Sequence, residues 1–514
     1  MPYNFIKILE ELKIRRLIGL VAGLAFSLYG MGQTSKPYLV TDFAEKDFEH
    51  VLDLCHQGGF DYLLHRYPFS TYGHYLWNPD FVSKGNRSVA SMVQEAANQG
   101  VELGVFVYAD AISTNDAYFA PRYHKQLVRQ GEVHLFDDIN AEQIDMAIYK
   151  SEVLNVPSTL NLLLIDDELI SYGTMEPAGE LMLLHHCKRG VFGTKATAHH
   201  RKTPTYKVSD SPERYVYPDG ALRDSVRHQL SKRINDVGIR FVEYSIAPGH
   251  EMISEAQRVQ NVERWSAMKA MGEDKPLMLG WFRVHVADRH QHSTTIEDVE
   301  WLLAKSVAFD AGYGLVLGKV VMSKYGQVET ILTQTRLWNE LRSSGLVDET
   351  LSEALKDPYQ DWHLDRDSLG RFMLYKQQVS RRFRCAFSPS DTELLTTEPW
   401  EWKNDEESEY ALRLQVEGKA SISDPDICVA GTHLLFPCTL KPNQFLVYDF
   451  DSRAYITDQD FNVIEEVNPV GQAVLPAGRT EVSFSCKVPN KKNRPEVSLR
   501  YMTREKPMII DANP

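Results

Sequence analysis

From about residue 37 to 345, apolar runs alternate with amphipathic stretches. Tyr38-Leu39-Val40 opens the series, Phe60–His65 reads as a second strand, and Val101–Tyr108 as a third with Asp110 just past its end. Between them, Ser88 to Asn98 reads as a helix closed by Gly100. A helix follows from about Asp219 to Val237, with Gly238 as its stop, and then strands at Ile239–Tyr244 and Pro276–His285. Thr294 with Glu297, or Thr295 with Asp298, fits a capping box, and Ile296, Val299, Leu303 and Val307 give the next helix an apolar face. Gly314–Val321 reads as a strand, and Leu332, Leu337 and Leu341 mark a final helix. Strands alternating with helices predict a parallel sheet with βα crossovers. At this length, with long loops after the strands, a closed TIM-like (β/α) barrel is expected.

Two stretches break the rhythm. Between about 150 and 212, Leu162–Ile165 runs into Asp166-Asp167-Glu168, and Arg189-Gly190 and Gly193-Thr194 follow as turn punctuation. This predicts a small β-rich insertion on one barrel loop. Strand neighbours point to opposite faces, so the three adjoining acids are expected to form a hairpin turn and not one cluster. After about 375, short runs such as Phe445–Tyr448 and Val497–Tyr501, separated by Pro, Gly and Asn, predict an all-β sandwich. The domains expected are therefore 33–374, carrying the insertion, and 375–514.

Composition narrows the class. The 514 residues carry a formal charge of −14, which argues against a nucleic-acid coat. Lys13, Arg15 and Arg16 precede an apolar run from Leu17 to Met31 that is short for a membrane span and reads as a secretory signal cleaved near Gly32/Gln33. Losing residues 1–32, with four basic and two acidic residues, takes the charge from −14 to −16. A periplasmic or secreted protein with no stable membrane insertion is expected. The six cysteines show no C-x-x-C pair, and a bridge among Cys385, Cys428, Cys438 and Cys486 is as compatible with the spacing as free thiols.

Barrel sites sit at the carboxyl ends of strands. That places His65, Arg66, Tyr108, Asp110, Glu243, Arg283 and His285 at candidate positions, with the aromatics Tyr72, Tyr75, Trp77 and Trp281 nearby. Carboxylates among aromatic rings suit a sugar, whose hydroxyls take hydrogen bonds and whose C–H faces pack on rings. Glycoside hydrolysis needs two carboxylates, one protonated and one ionised. Asp110 and Glu243 are the pair, and His285 is a further acid/base candidate. His65, Arg66, His74, Tyr75, Trp77, Tyr108, Trp281 and Arg283 are read as substrate-binding. Arg289-His290-Gln291-His292 lacks helical metal spacing, so no metal and no cofactor is expected.

The runs GHYLWNPDF (Gly73–Phe81), GVFVYADAISTNDAYFAP (Gly104–Pro121) and DVEWLLAKSVAFDAGYGL (Asp298–Leu315), with the insertion Asp166–His199, resemble glycosidase-like barrel proteins exported by Bacteroidota and encoded among polysaccharide-utilisation genes. The resemblance covers roughly 37–345, with a weaker jelly-roll resemblance after 375. The insertion also resembles a small β module of phage tail proteins, where it is structural. One departure stands out. Relatives of this pattern end the strand at Phe241 with an Asp-Gly pair, whereas this chain reads Phe241-Val242-Glu243-Tyr244-Ser245. The resemblance implies a glycoside hydrolase acting on a complex or acidic polysaccharide or its oligosaccharides. Two alternatives stand beside it. One is a lyase on a uronate-containing glycan, with Arg66 or Arg283 neutralising the uronate and His65, His74, Tyr75 or Tyr108 abstracting the C5 proton. The other is a non-catalytic glycan-binding barrel.

Overall fold

The computed structural model describes residues 36–511 except 109, 156–159, 209–214, 246–251, 254, 272–276, 389–391, 472–473 and 489–493. The signal segment expected at 1–32 lies outside the described residues. In chain order the elements are β1 (Tyr38–Thr41), α1 (Phe48–Gly58), β2 (Tyr62–His65), α2 (Asn86–Asn98), β3 (Glu102–Tyr108), β4 (Ile112–Ser113), β5 (Arg129–His134), β6 (Met146–Tyr149), β7 (Leu162–Ile165), β8 (Glu168–Ser171), β9 (Thr174–Ala178), β10 (Leu181–His185), β11 (Pro204–Val208), β12 (Tyr215–Val216), α3 (Gly220–Asn235), β13 (Phe241–Ser245), α4 (Arg258–Ala270), β14 (Met278–Arg283), α5 (Ile296–Phe309), β15 (Gly312–Val316), α6 (Lys319–Lys324), α7 (Val328–Ser343) and α8 (Glu349–Lys356). From Asp361 onward the regular elements are strands. The chain divides into two compact units. One holds 42–48 and 64–250, and the other 34–41, 49–63 and 251–514. Among the described residues no helix is long and apolar enough to cross a membrane.

In the first unit β3 and β13 pair in parallel, Phe241 beside Gly104 and Glu243 beside Phe106. Gly104 is required there, because a Cβ would stand 2.3 Å from the Phe241 ring. Helix α2 packs on β3 with Val89, Met92 and Ala96 buried. Helix α3 starts at the Asp219 N-cap, whose carboxylate accepts from the Gly220 amide, and buries Leu222, Val226, Leu230 and Ile234 at helical spacing. The β module leaves and rejoins this frame at a short antiparallel ladder between β4 and β12. It comprises two antiparallel sheets, β5-β11-β7-β8 and β6-β10-β9, around a core that includes Leu135, Ile148, Leu163, Ile170 and Leu184. Strands β7 and β8 form the hairpin read from the sequence, turning through Asp166 (φ 52°) and Asp167.

In the second unit β15 pairs in parallel with both β1 and β14. The capping box of α5 is the Thr295/Asp298 one. The helix is buried almost all round, so the apolar stripe seen in the sequence is only part of its packed surface. The interior charges on it are satisfied from afar. Glu297 takes two bonds from Arg413 (2.6 and 2.7 Å), Glu300 bonds His363 and Trp338, and Lys305 donates to the Leu355 and Asp357 carbonyls. The strand read over Gly314–Val321 ends at Val316, and Lys319–Val321 belong to α6.

The C-terminal strands form two antiparallel sheets. The longer runs through 361–366, 372–379, 496–504, 408–417, 445–448, 454–457 and 463–467. The other runs through 394–396, 478–487, 422–429, 432–435 and 470–471. Leu412, Leu414 and Leu499 from one meet Ile427, Val482 and Phe484 from the other in a single core. Parallel strands with helices, then antiparallel sheets, match the order read from the sequence. All six cysteines are free.

Candidate functional site

The first unit gathers most of the expected site residues at the carboxyl end of the β3–β13 pair. Partners in register share a face, and residues two apart on a strand do too, so Glu243 lies on the face that carries Phe106 and Tyr108. Glu243 is buried, with 9% of its surface exposed. Tyr108 continues that face into a wall of rings, with centroids 5.5 Å from Tyr72 and 4.9 Å from Tyr215. Tyr75 is fully buried and its hydroxyl donates to the Tyr108 carbonyl at 3.1 Å. Phe69 packs on Tyr72 and Tyr75 and stacks on Trp77, whose indole donates to Asn86 at 2.6 Å.

Asp110 follows Tyr108 by two positions. Arg227 of α3 approaches it in a fork, Nε to Oδ1 at 2.7 Å and Nη2 to Oδ2 at 2.5 Å, so both carboxylate oxygens are engaged. The sequence reading did not include Arg227. It faces outward from the apolar stripe of α3 and carries no local sign of its partner.

His74 sits between Tyr72 and Tyr75 in a segment of unusual backbone, with Gly73 at φ 118° and Tyr75 at φ 49°. Its Nδ1 lies 2.7 Å from Asp116 Oδ1, and its amide donates to Asp116 Oδ2 at 2.8 Å. The Tyr118 amide also donates to Asp116 Oδ1 at 2.9 Å. The Asp116 carboxylate is 1% exposed, whereas the His74 side chain is 34% exposed. The imidazole stacks on Tyr118 at 4.2 Å, and Gln229 of α3 donates to the Tyr118 hydroxyl at 2.6 Å. Asp116 is a second residue missed from sequence. It is distant from its partner in the chain, and it stood unremarked inside the run Gly104–Pro121.

His65 has a different setting. It is buried, with Nε2 3.0 Å from the Phe43 carbonyl, Nδ1 accepting from the Tyr67 amide at 3.2 Å, and its ring against Phe43 and Phe81. Burial pulls its pKa down to about 4, so the ring is neutral. The neighbouring Arg66 guanidinium lies over the Tyr67 ring at 4.4 Å.

Trp281, Arg283 and His285 belong to the second unit. Trp281 is buried in the parallel ladder and donates to the Tyr38 hydroxyl at 2.9 Å. Arg283 is exposed at the end of β14. His285 is half-buried, with its amide and Nδ1 at 3.0 and 2.9 Å from Thr294 Oγ1.

The β module holds a separate charged cluster. Glu168, whose side chain is 0% exposed, accepts from five donors: Arg189 Nε and Nη2, the Gly190 and Thr197 amides, and His199 Nε2 at 2.8 Å. Asp166 meets the other face of the same imidazole, 2.8 Å from Nδ1. The three acids form the expected hairpin turn and not one cluster: Asp166 in the turn and Glu168 at the start of β8 both reach His199, while Asp167 stays exposed.

No family model and no curated protein sequence matches this chain. Among solved structures it is similar to an α-amylase from Geobacillus thermoleovorans complexed with acarbose, at 9% identity over 88% of this chain and 98% of that one, TM-score 0.30. It is also similar to a maltogenic α-amylase, AmyB, from Thermotoga neapolitana, at 8% identity over 90% and 98%, TM-score 0.31. An α-galactosidase from Thermus thermophilus matches at 9% identity over 67% and 66%, TM-score 0.30.

Proposed function

We propose that this protein is an exported, glycan-active enzyme. It is a glycoside hydrolase for a complex or acidic polysaccharide or its oligosaccharides, built on a closed (β/α) barrel followed by a jelly-roll-like sandwich. The observation that carries the reading is the buried Glu243 carboxylate on the face of Phe106 and Tyr108, continued by the tyrosine wall of Tyr72 and Tyr215. A carboxylate withdrawn from water beside rings is the setting in which an acid holds its proton and a sugar face packs. Asp110, held in a fork by Arg227, supplies the second carboxylate. Arg66, His74, Trp77 and Tyr108 of the same unit line the substrate. The protein works in the periplasm or outside the cell.

The experiment is a glycan panel read for new reducing ends and for ultraviolet absorption. Reducing ends from wild type, lost in Glu243→Gln and Asp110→Asn with glycan binding kept, are the expected result. Absorbing products without water incorporation would replace hydrolase with lyase. Binding without any product would leave a glycan-binding protein.

A further inference from the structure

We propose that His74 is the general base of this site and that Asp116 is its positioning residue. The proposal rests on the carbohydrate reading of the tyrosine wall and gives it the proton acceptor that the carboxylate pair lacks.

Hydrolysis with a single displacement needs a base with a free lone pair for the attacking water. Asp110 has both oxygens committed to Arg227. His65 has both ring nitrogens against the backbone. His74 differs from both. Its Nδ1 faces a carboxylate that is almost fully buried, and its Nε2 makes no hydrogen bond among the described residues on a side chain that is 34% exposed. A carboxylate on Nδ1 holds the proton there, which leaves the Nε2 lone pair outward and stabilises the imidazolium once Nε2 is protonated.

The surrounding chain is shaped for this geometry. Gly73 is at φ 118°, and a Cβ on it would lie 2.8 Å from the Asp116 carboxylate, so only glycine lets the two segments approach. Tyr75 also holds a left-handed backbone although it is a bulky residue, and its hydroxyl anchors it to Tyr108. Tyr118 covers one face of the imidazole and is itself fixed by Gln229. Among the described residues Asp116 is the one charged group bonded to His74, and Tyr118 and, beyond it, His124 are titratable groups on the stacked face.

The step balances as follows. His74 Nε2 takes a proton from water as the water oxygen bonds to the anomeric carbon. The glycosidic C–O bond breaks, and its oxygen leaves with the proton of Glu243. Asp110 and Arg227 keep their charges throughout. One proton then passes through solvent from the His74 imidazolium to the Glu243 carboxylate, which restores both groups for the next turnover.

The test pairs kinetics with a spectroscopic signature. On the glycan that wild type cleaves, His74→Gln should lower kcat by about 10²- to 10⁴-fold with KM within about threefold. Asp116→Asn should cost less, and nitrogen-15 NMR should show the His74 Nδ1–H tautomer of wild type giving way to Nε2–H. Asp116→Glu should restore part of the rate. A His74→Gln variant that keeps a third or more of kcat, or a tautomer unmoved in Asp116→Asn, overturns the proposal and leaves the hydrolase reading standing. A wild type that releases no reducing ends on the panel overturns the hydrolase reading and this step with it.

Discussion

Replacing Glu168 by glutamine removes one charge and almost no volume, at the point where the β module is most tightly bonded. In the native module both oxygens are consumed by five donors. Glutamine keeps one acceptor oxygen and turns an NH₂ towards groups that are themselves donors. Arg189 and His199 would lose their buried counter-charge. Burial by itself would push the Glu168 carboxyl up, but the bonds from His199, Arg189 and the Thr197 amide bring it from 4.5 down to about 2. That fall corresponds to roughly 3 kcal/mol favouring the ionised folded form. Breaking a buried ion pair by removing one partner costs about 3–5 kcal/mol, which agrees. Native-state hydrogen exchange on β7 and β8 is the assay. A loss of about 3 kcal/mol should lower protection there roughly a hundredfold. Protection within threefold of wild type would refute the reasoning.

The same cluster sets a pH window. A lowered carboxyl contributes stability that is whole above 4.5 and lost as pH falls through about 2. Burial pulls the His199 ring down, but Glu168 and Asp166 together raise it above 6.5. Its contribution is therefore whole below 6.5 and fades as pH rises through the raised value. Protection of the module should peak between pH 4.5 and 6.5 and fall on both sides.

Two further outcomes are expected. Arg413→Met leaves the buried Glu297 carboxylate without its forked partner, and should destabilise the second unit by about 3–5 kcal/mol in urea unfolding, while Arg413→Met with Glu297→Met together should recover most of that loss. Gly73→Ala forces a side chain onto the Asp116 carboxylate and strains the backbone, and should abolish the Nδ1–H tautomer of His74, lower kcat at least tenfold and lower the thermal midpoint.

The legible parts of the fold were those encoded by short-range chemistry. The Thr295/Asp298 box, the Asp219 start of α3 and the run that makes β3 each lie within a few residues of one another. Strand β5 escaped because RQGEVH is polar and half-solvated, so it has no apolar alternation. The end of β15 was misplaced because Leu317 and Val321 are buried like the strand before them, although one lies beyond the strand and the other in a helix. Asp110, Glu243 and His74 were readable as polar residues at strand ends or beside aromatics. What fixes two of them was not, since Arg227 and Asp116 reach Asp110 and His74 only through the folded chain. The interior charges of α5 were hidden for the same reason, their partners standing 38 to 116 residues away.

The short β4–β12 ladder has a consequence for how the β module is tethered. Ile112 and Ser113 lie across from Val216 and Tyr215, and Leu127 bridges Pro218 just beyond, so the chain departs and returns at one spot. Beyond Val128, whose amide donates to the Tyr217 carbonyl, the chain runs out into the module, while Asp116 and Tyr118 before it bond His74 and Gln229 of the frame. Closing a loop costs an entropy that grows only slowly with its length. Material added to or taken from the far side of this ladder leaves the ends where they are, and the frame that aims Asp110 and Arg227 at one another feels little of it. Mechanically, the module is a pendant with an apolar core of its own, tied internally at Glu168.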